Sequence, residues 1–169
     1  MGILKGNPKD QPLHYGEIFQ TWTYAARQRK TISTYQLYRS HAGDDELKRL
    51  VVNLIQQAKQ SAAECDEILV HNGIMPPPAF AERPPVKLED IPAGARFADQ
   101  EIAIAIGEDL AVNLIACSQL IGSSIRIDVG ALFAKYYALH VASAAAALEL
   151  SKEKGWLVPP PLQIHRPEK

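Results

Sequence analysis

Three groups of residues in this 169-residue chain have types that could do chemistry. Glu64, Glu67, His71, Glu101, Glu108 and His140 are potential ligands for iron, manganese or zinc, the donors that helical metal centres use. Arg29 with Glu108 and Asp109 could form a buried ion pair. Tyr136, Tyr137 and His140 could line a small-molecule cavity. Spacing counts against the first group, because a di-iron bundle uses Glu-x-x-His on two of its helices, whereas His71 follows Glu67 by four positions and sits beside Gly73. There is no Asp or Glu from Ile18 to Gly43, nor between Asp128 and Glu149. Each of the other groups also has a plain structural reading. Arg27, Arg29 and Lys30 read as a solvated face, and His140 as a core histidine with one hydrogen-bond partner.

Other signatures are missing. Ser33, Ser61, Ser118 and Ser143 have no His and carboxylate placed to activate them, and there is neither a phosphate-binding glycine loop nor a dinucleotide fingerprint. Cys65 and Cys117 lie far from any second ligand at zinc spacing and read as buried small residues. No catalytic, cofactor-binding or metal residue is assigned, and no cofactor is expected.

The elements that must position these groups are delimited by proline. All 12 prolines fall at positions 8, 12, 76 to 78, 84, 85, 92, 159 to 161 and 167, which leaves 13 to 75 and 93 to 158 free for helices. Apolar residues at three- and four-residue spacing predict a first helix from about Tyr15 to Ala42, with Ile18, Phe19, Trp22, Ala25, Ala26, Ile32, Tyr35 and Leu37 as its buried face. Gly43 suits a left-handed C-terminal cap and Asp44 an N-cap. A second helix, carrying Leu47, Leu50, Val51, Leu54, Ile55, Ala58, Ala62, Cys65, Ile68 and Leu69, ends at Asn72-Gly73. Residues 74 to 98 read as a loop. Asp99 is the expected cap of a third helix that runs to Gly122, and Ser123 or Ser124 starts a fourth that stops at Gly155. Helices of about 25 residues span roughly 37 Å, the scale of a four-helix bundle.

The chain also repeats itself. Residues 67 to 78 and 149 to 161 are the same helix ending, Gly and then a Pro triplet, and at the 82-residue offset separating Gly73 from Gly155, Ser61 meets Ser143, Leu50 meets Leu132 and Glu17 meets Asp99. Two related hairpins joined by a long crossover are the ferritin-like arrangement. The expected architecture is a single all-α domain over 1–169: hairpin one at about 13–75, crossover loop at about 76–98, hairpin two at about 99–158 and a C-terminal tail at 159–169.

Composition restricts the partners. With 18 Lys+Arg against 19 Asp+Glu, the chain lacks the basic excess of an electrostatic nucleic-acid binder. Ile102 to Ile121 is apolar but interrupted by Glu108, Asp109, Asn113 and Gln119, so no membrane span is expected. The start, Met1-Gly-Ile-Leu-Lys-Gly6, has no apolar core of signal-peptide length, which makes the cytoplasm the default location. Between Leu110 and Ala134 only Arg126 and Asp128 are charged, and Ala134 to Leu148 adds Lys135 and His140. Helices so apolar must be covered on more than one face, which predicts self-association, as a dimer, through helices three and four.

Leu13-His-Tyr-Gly-Glu-Ile-Phe-Gln-Thr-Trp22, Arg96-Phe-Ala-Asp-Gln-Glu101 and the two Gly-to-triple-Pro endings resemble a ferritin-like family of unknown function from endospore-forming bacteria, whose members are often labelled "putative spore coat protein". The resemblance runs from about residue 12 to 162. It implies a ferritin-like bundle of two hairpins, spore coat proteins as partners and incorporation into the coat, and it carries over no catalytic residue. His14-Tyr15 stands where a Ser or Thr cap would be expected. The sequence thus points to a non-enzymatic structural or interaction protein. A ferritin-like metal-binding oxidase or iron-handling protein, and a small-ligand-binding bundle, are the alternatives.

Overall fold

The computed structural model describes residues 7–163, so the Met1–Gly6 start and Pro167 lie outside the described residues. Among the described residues there are four long α-helices and no strand: α1 (Tyr15–His41), α2 (Asp45–His71), α3 (Asp99–Ser123) and α4 (Ile127–Glu153). Short 3-10 turns occur at Pro8–Asp10, Leu88–Asp90 and Ala93–Ala95. Three-residue turns make α1 pack along α2 and α3 along α4, while the segment from 72 to 98 connects the two pairs.

The ends of the helices explain how the pairs are held together. His14 itself caps α1, where a Ser or Thr had been expected: its Nδ1 accepts from the Gly16 and Glu17 amides at 2.9 and 3.3 Å. Glu17 returns a hydrogen bond to the His14 amide at 3.1 Å. Its other oxygen crosses the molecule and accepts from the amides of Ile125 and Arg126, both at 2.9 Å, in the turn between α3 and α4. Asp99 makes the converse connection. Its carboxylate accepts from the Gly43 and Asp44 amides at 2.7 and 3.0 Å, in the turn between α1 and α2. Asp99 is therefore not the expected cap of α3, whose first amides are served instead by Glu101, accepting from Ala98 at 2.7 Å.

Two further cap expectations are corrected. Gly43 is not left-handed; a Cβ there would come within a tight 3.3 Å of the Asp99 carboxylate. Ser123 and Ser124 close α3 rather than open α4, and the N-cap of α4 is Arg126, held by Asp128 at 2.5 and 3.0 Å. Asp44 caps α2 as expected, accepting from Glu46 and Leu47. Gly73 and Gly155, the glycines before the two Pro triplets, have φ of 73° and 72°. Each closes its helix by the same pair of hydrogen bonds, Ile74 to Leu69 and Gly73 to Val70, then Trp156 to Ser151 and Gly155 to Lys152.

The buried face of α1 is not the apolar stripe read from its sequence. Phe19 is 70% and Trp22 38% exposed, while Glu17, Thr21, Gln28, Thr31, Gln36, Ser40 and His41 are buried with Tyr24, Ala25 and Tyr35. The connecting segment supplies the reason at Gln36, Ser40 and His41. It is extended and has few partners of its own, so its amides find acceptors on α1: Arg83 on Gln36, Val86 on Ser40 and Phe97 on the His41 ring. Trp22 donates back to the Met75 carbonyl, and Lys59 of α2 pairs with Glu82 at 2.8 Å. Prolines in the segment reduce the number of amides needing partners. It thus lies as a strap along α1 and α2, above a cavity of about 260 Å³ between the helices and Ala79–Glu82.

Candidate functional site

The interior divides into two apolar clusters. One gathers Tyr35, Leu47, Val51, Leu54, Ile102 and Ile106 near the C-terminal end of α1; the other gathers Tyr24, Cys65, Cys117, Val129, Phe133 and Tyr136 toward its N-terminal half. Polar side chains at the middle of all four helices meet at mid-bundle. Gln28 of α1 donates to Asn113 of α3 at 3.2 Å, Ser143 of α4 to Gln57 of α2 at 3.1 Å, and the Tyr24 hydroxyl lies 2.8 Å from His140 Nε2. This is where a bundle metal centre would sit.

Apart from the single imidazole of His140 its donors are amides and hydroxyls, which are weak ligands for iron, manganese or zinc. Of the sequence-derived ligand candidates, His140 alone reaches it. His71, Glu67, Glu101 and Glu108 are exposed, and Glu64 is occupied by Lys135 at 2.8 Å and by the Tyr136 hydroxyl at 2.6 Å. Among the described residues, no three His, Cys, Asp or Glu side chains gather as a metal site. The residues present do not fit a ferritin-type metal pair.

His140 is buried, and burial pushes its pKa down to about 4, so the ring is neutral at pH 7. Tyr136 stacks on Tyr24 with ring centroids 5.6 Å apart, and burial raises both phenols above their ordinary range. Burial also raises the Cys117 thiol to about 11 and the Cys65 thiol further. Thiols and phenols held protonated are poor nucleophiles. Burial would raise the Glu64 carboxyl too, but hydrogen bonds from Lys135, Tyr136 and Gln60 outweigh it, and its pKa falls.

The remaining candidates fall in different places. Tyr137 is 40% exposed and turns away from Tyr136 and His140, so the three do not line one cavity. Arg29 is not a solvated side chain, nor does it pair with Glu108 or Asp109: it donates to Asp66 of α2 at 2.6 Å, with side-chain exposures of 12% and 29%. Glu108 is exposed, and Asp109 lies by Tyr35, adding to the burial that raises that phenol. The sequence reading missed Gln28, Gln57 and Asn113 of the central layer and the part the Tyr24 hydroxyl plays in it. Their central positions on their helices, matching that of His140, were the available signal.

A second feature lies outside. The surface of α3 and α4 away from α1 and α2 exposes Ile104, Ile115, Val141 and Leu148 by 43% to 68%, with Ala111, Ala134, Ala138 and Ala145 between them. A groove of about 460 Å³ opens there, bounded at one end by Trp156, Leu157 and Val158. Both helices are long and apolar enough to cross a membrane by length and composition, with mean hydropathy of 1.5 and 1.2 in their most apolar windows.

Comparison with known proteins gives a consistent setting. The chain is 42% identical over 166 residues to the "Uncharacterized protein YvdQ" of Bacillus subtilis (strain 168), covering 98% of each chain. It is similar to the crystal structure of a "putative spore coat protein" from Bacillus halodurans, at 45% identity and a TM-score of 0.92, over 94% of this chain and 100% of that one. A family described as "Protein of unknown function (DUF3231)" matches residues 1–169, and the chain belongs to that family.

Proposed function

We propose that the protein is a non-enzymatic structural component that self-associates through α3 and α4, made in the cytoplasm and incorporated into the spore coat beside other coat proteins. The observation that carries this reading is the exposed apolar surface of α3 and α4, where Ile104, Ile115, Val141 and Leu148 gather; such contiguous apolar patches mark interaction sites. The name given to the Bacillus halodurans relative supports the location. The interior supports the absence of an activity, because its polar groups bind one another and its thiols and phenols are held protonated.

The same reading makes the chain one ferritin-like domain of two repeated hairpins, about 13–75 and 99–158, joined by a crossover at 76–98 and followed by a tail. Three features support the repeat at the 82-residue offset between Gly73 and Gly155. The bounds of α2 and α4 coincide under it, the two glycines share one φ, and Glu17 and Asp99 hold each other's turns. Sedimentation at micromolar concentration tests the assembly: a species of twice the 18.6 kDa chain mass or more is expected, and a monomer alone overturns it. Elemental analysis of protein purified without chelators tests the rest, since stoichiometric iron, manganese or zinc would favour the metal-handling alternative.

A further inference from the structure

The α1–α2 pair has an outer face crossed by the strap, and the α3–α4 pair has the equivalent face bare. The strap touches Trp22, Ser33, Gln36 and Ser40 on α1 and Lys59 on α2, and it borders the pocket that Ala63 and Asp66 line. At the 82-residue offset, the α1 positions become Ile104, Ile115, Ser118 and Gly122, and the α2 positions become Val141, Ala145 and Leu148. All seven are exposed. The exposed apolar surface is therefore not scattered over α3 and α4; it occupies the place of the strap.

The chemistry of the two roofs differs. Gln36 and Ser40 serve an extended backbone by accepting from the Arg83 and Val86 amides, Ser33 accepts from the Arg83 side chain, and Lys59 holds Glu82. Their counterparts are apolar or small, with Ser118 alone retaining a polar group. An extended strand laid there would find almost no acceptor for its amides, whereas a helix brings its backbone already paired. Small residues at Ala111, Ala134, Ala138 and Ala145 allow helices to approach closely. The face carries too little charge to select a charged partner, but an identical face meets it without repulsion. Two helices of this length, roughly 38 Å long and about 10 Å apart, present on the order of 800 Å² per partner, what a stable protein–protein interface buries on each side.

The geometry points to the α3–α4 face of a second copy as the cover, in a two-fold pairing that puts helices where the first pair carries its strap. This rests on the reading of self-association through α3 and α4 and adds the two-fold, face-to-face pairing at the place equivalent to the strap. The test uses the full chain, sedimented at micromolar concentration with circular dichroism as the check on folding. Ile115→Asp and Val141→Asp should each convert a dimer into an 18.6 kDa species with unchanged helix content, while Phe80→Asp on the strap should leave the dimer intact. Should either aspartate variant fail to fold, Ala145→Cys gives an independent readout, because Cys65 and Cys117 are buried. The introduced thiol should react with a maleimide at least tenfold more slowly at micromolar than at nanomolar protein. A dimer that persists in both aspartate variants, or labelling independent of concentration, overturns the face while leaving self-association standing. A wild-type monomer overturns both, and a monomer that floats with phosphatidylglycerol vesicles assigns the face to a membrane surface.

Discussion

Glu17 and Asp99 hold opposite ends of the molecule by one device. Each stands in the first turn of the leading helix of its pair, and each sends its carboxylate to two successive amides in the other pair's turn: Ile125 and Arg126 for Glu17, Gly43 and Asp44 for Asp99. They are not equal in depth, for Glu17 is fully buried and also holds the His14 amide, while Asp99 is partly exposed.

The difference should appear in stability. Glu17→Ala leaves three amides without their acceptor and should cost about 3 to 5 kcal/mol, whereas Asp99→Ala, with water at hand, should cost about 1 to 2 kcal/mol. Urea unfolding of the two variants at pH 7 checks the order. Equal costs would show that burial does not set the strength of these contacts.

His140 predicts a pH dependence. Its pKa lies at about 4 in the folded protein against 6.5 for the free side chain, so between those values the unfolded chain binds a proton that the folded protein refuses. Stability should therefore fall as the pH drops from about 6.5 to about 4, by up to about 3 kcal/mol. Asp44 and Asp128 lose their contributions only at lower pH, because hydrogen bonds hold their pKa values below the ordinary carboxylate range: the Leu47 amide and Lys154 for Asp44, Arg126 for Asp128. His140→Phe should flatten the slope above pH 4. An unchanged slope would place the titrating group elsewhere.

Arg29 and Asp66 predict non-additivity. Removing the guanidinium with Arg29→Met strands a partly buried carboxylate and should cost about 2 to 4 kcal/mol, while adding Asp66→Leu should recover at least half of that. Double-mutant cycles by chemical denaturation measure the coupling; a value near zero would mean the pair is worth no more than a surface contact.

Gly73 and Gly155 should respond alike. No neighbour lies within 4 Å of a Cβ at either site, so alanine there costs backbone strain alone, about 1 kcal/mol. Thermal unfolding of the two single variants checks this, and a large difference would mean that the two helix endings carry unequal loads.

The helices were legible because prolines and periodicity agree: α2 and α4 lie within about two residues of where apolar spacing and the Gly-Pro endings put them. The buried face of α1 was not legible, because Gln36, Ser40 and His41 are buried by the strap, whose path no local pattern records. Local rules likewise put Asp99 at a cap, since its service to Gly43 and Asp44 spans more than 50 residues of sequence. Arg29 failed in a similar way: its position on α1 was readable, but the choice between Asp66 and the carboxylates of α3 depends on which helix packs beside it. His140 was readable as a central histidine, whereas the part the Tyr24 hydroxyl plays beside it, set in a helix whose apolar stripe misleads, was not.

The crossed carboxylates bear on how the chain can be made. During synthesis α1, the next turn and α2 leave the ribosome first, yet the amides of that turn wait for a residue not joined until position 99, and Glu17 waits longer for residues 125 and 126. Each half gains the last acceptors of its own bend only from the other. The emerging first pair would stay incompletely closed, with polar side chains of α1 open for the strap, until the last helix is in place. The two bends are thereby clasped together late, once residues 99, 125 and 126 have all been joined.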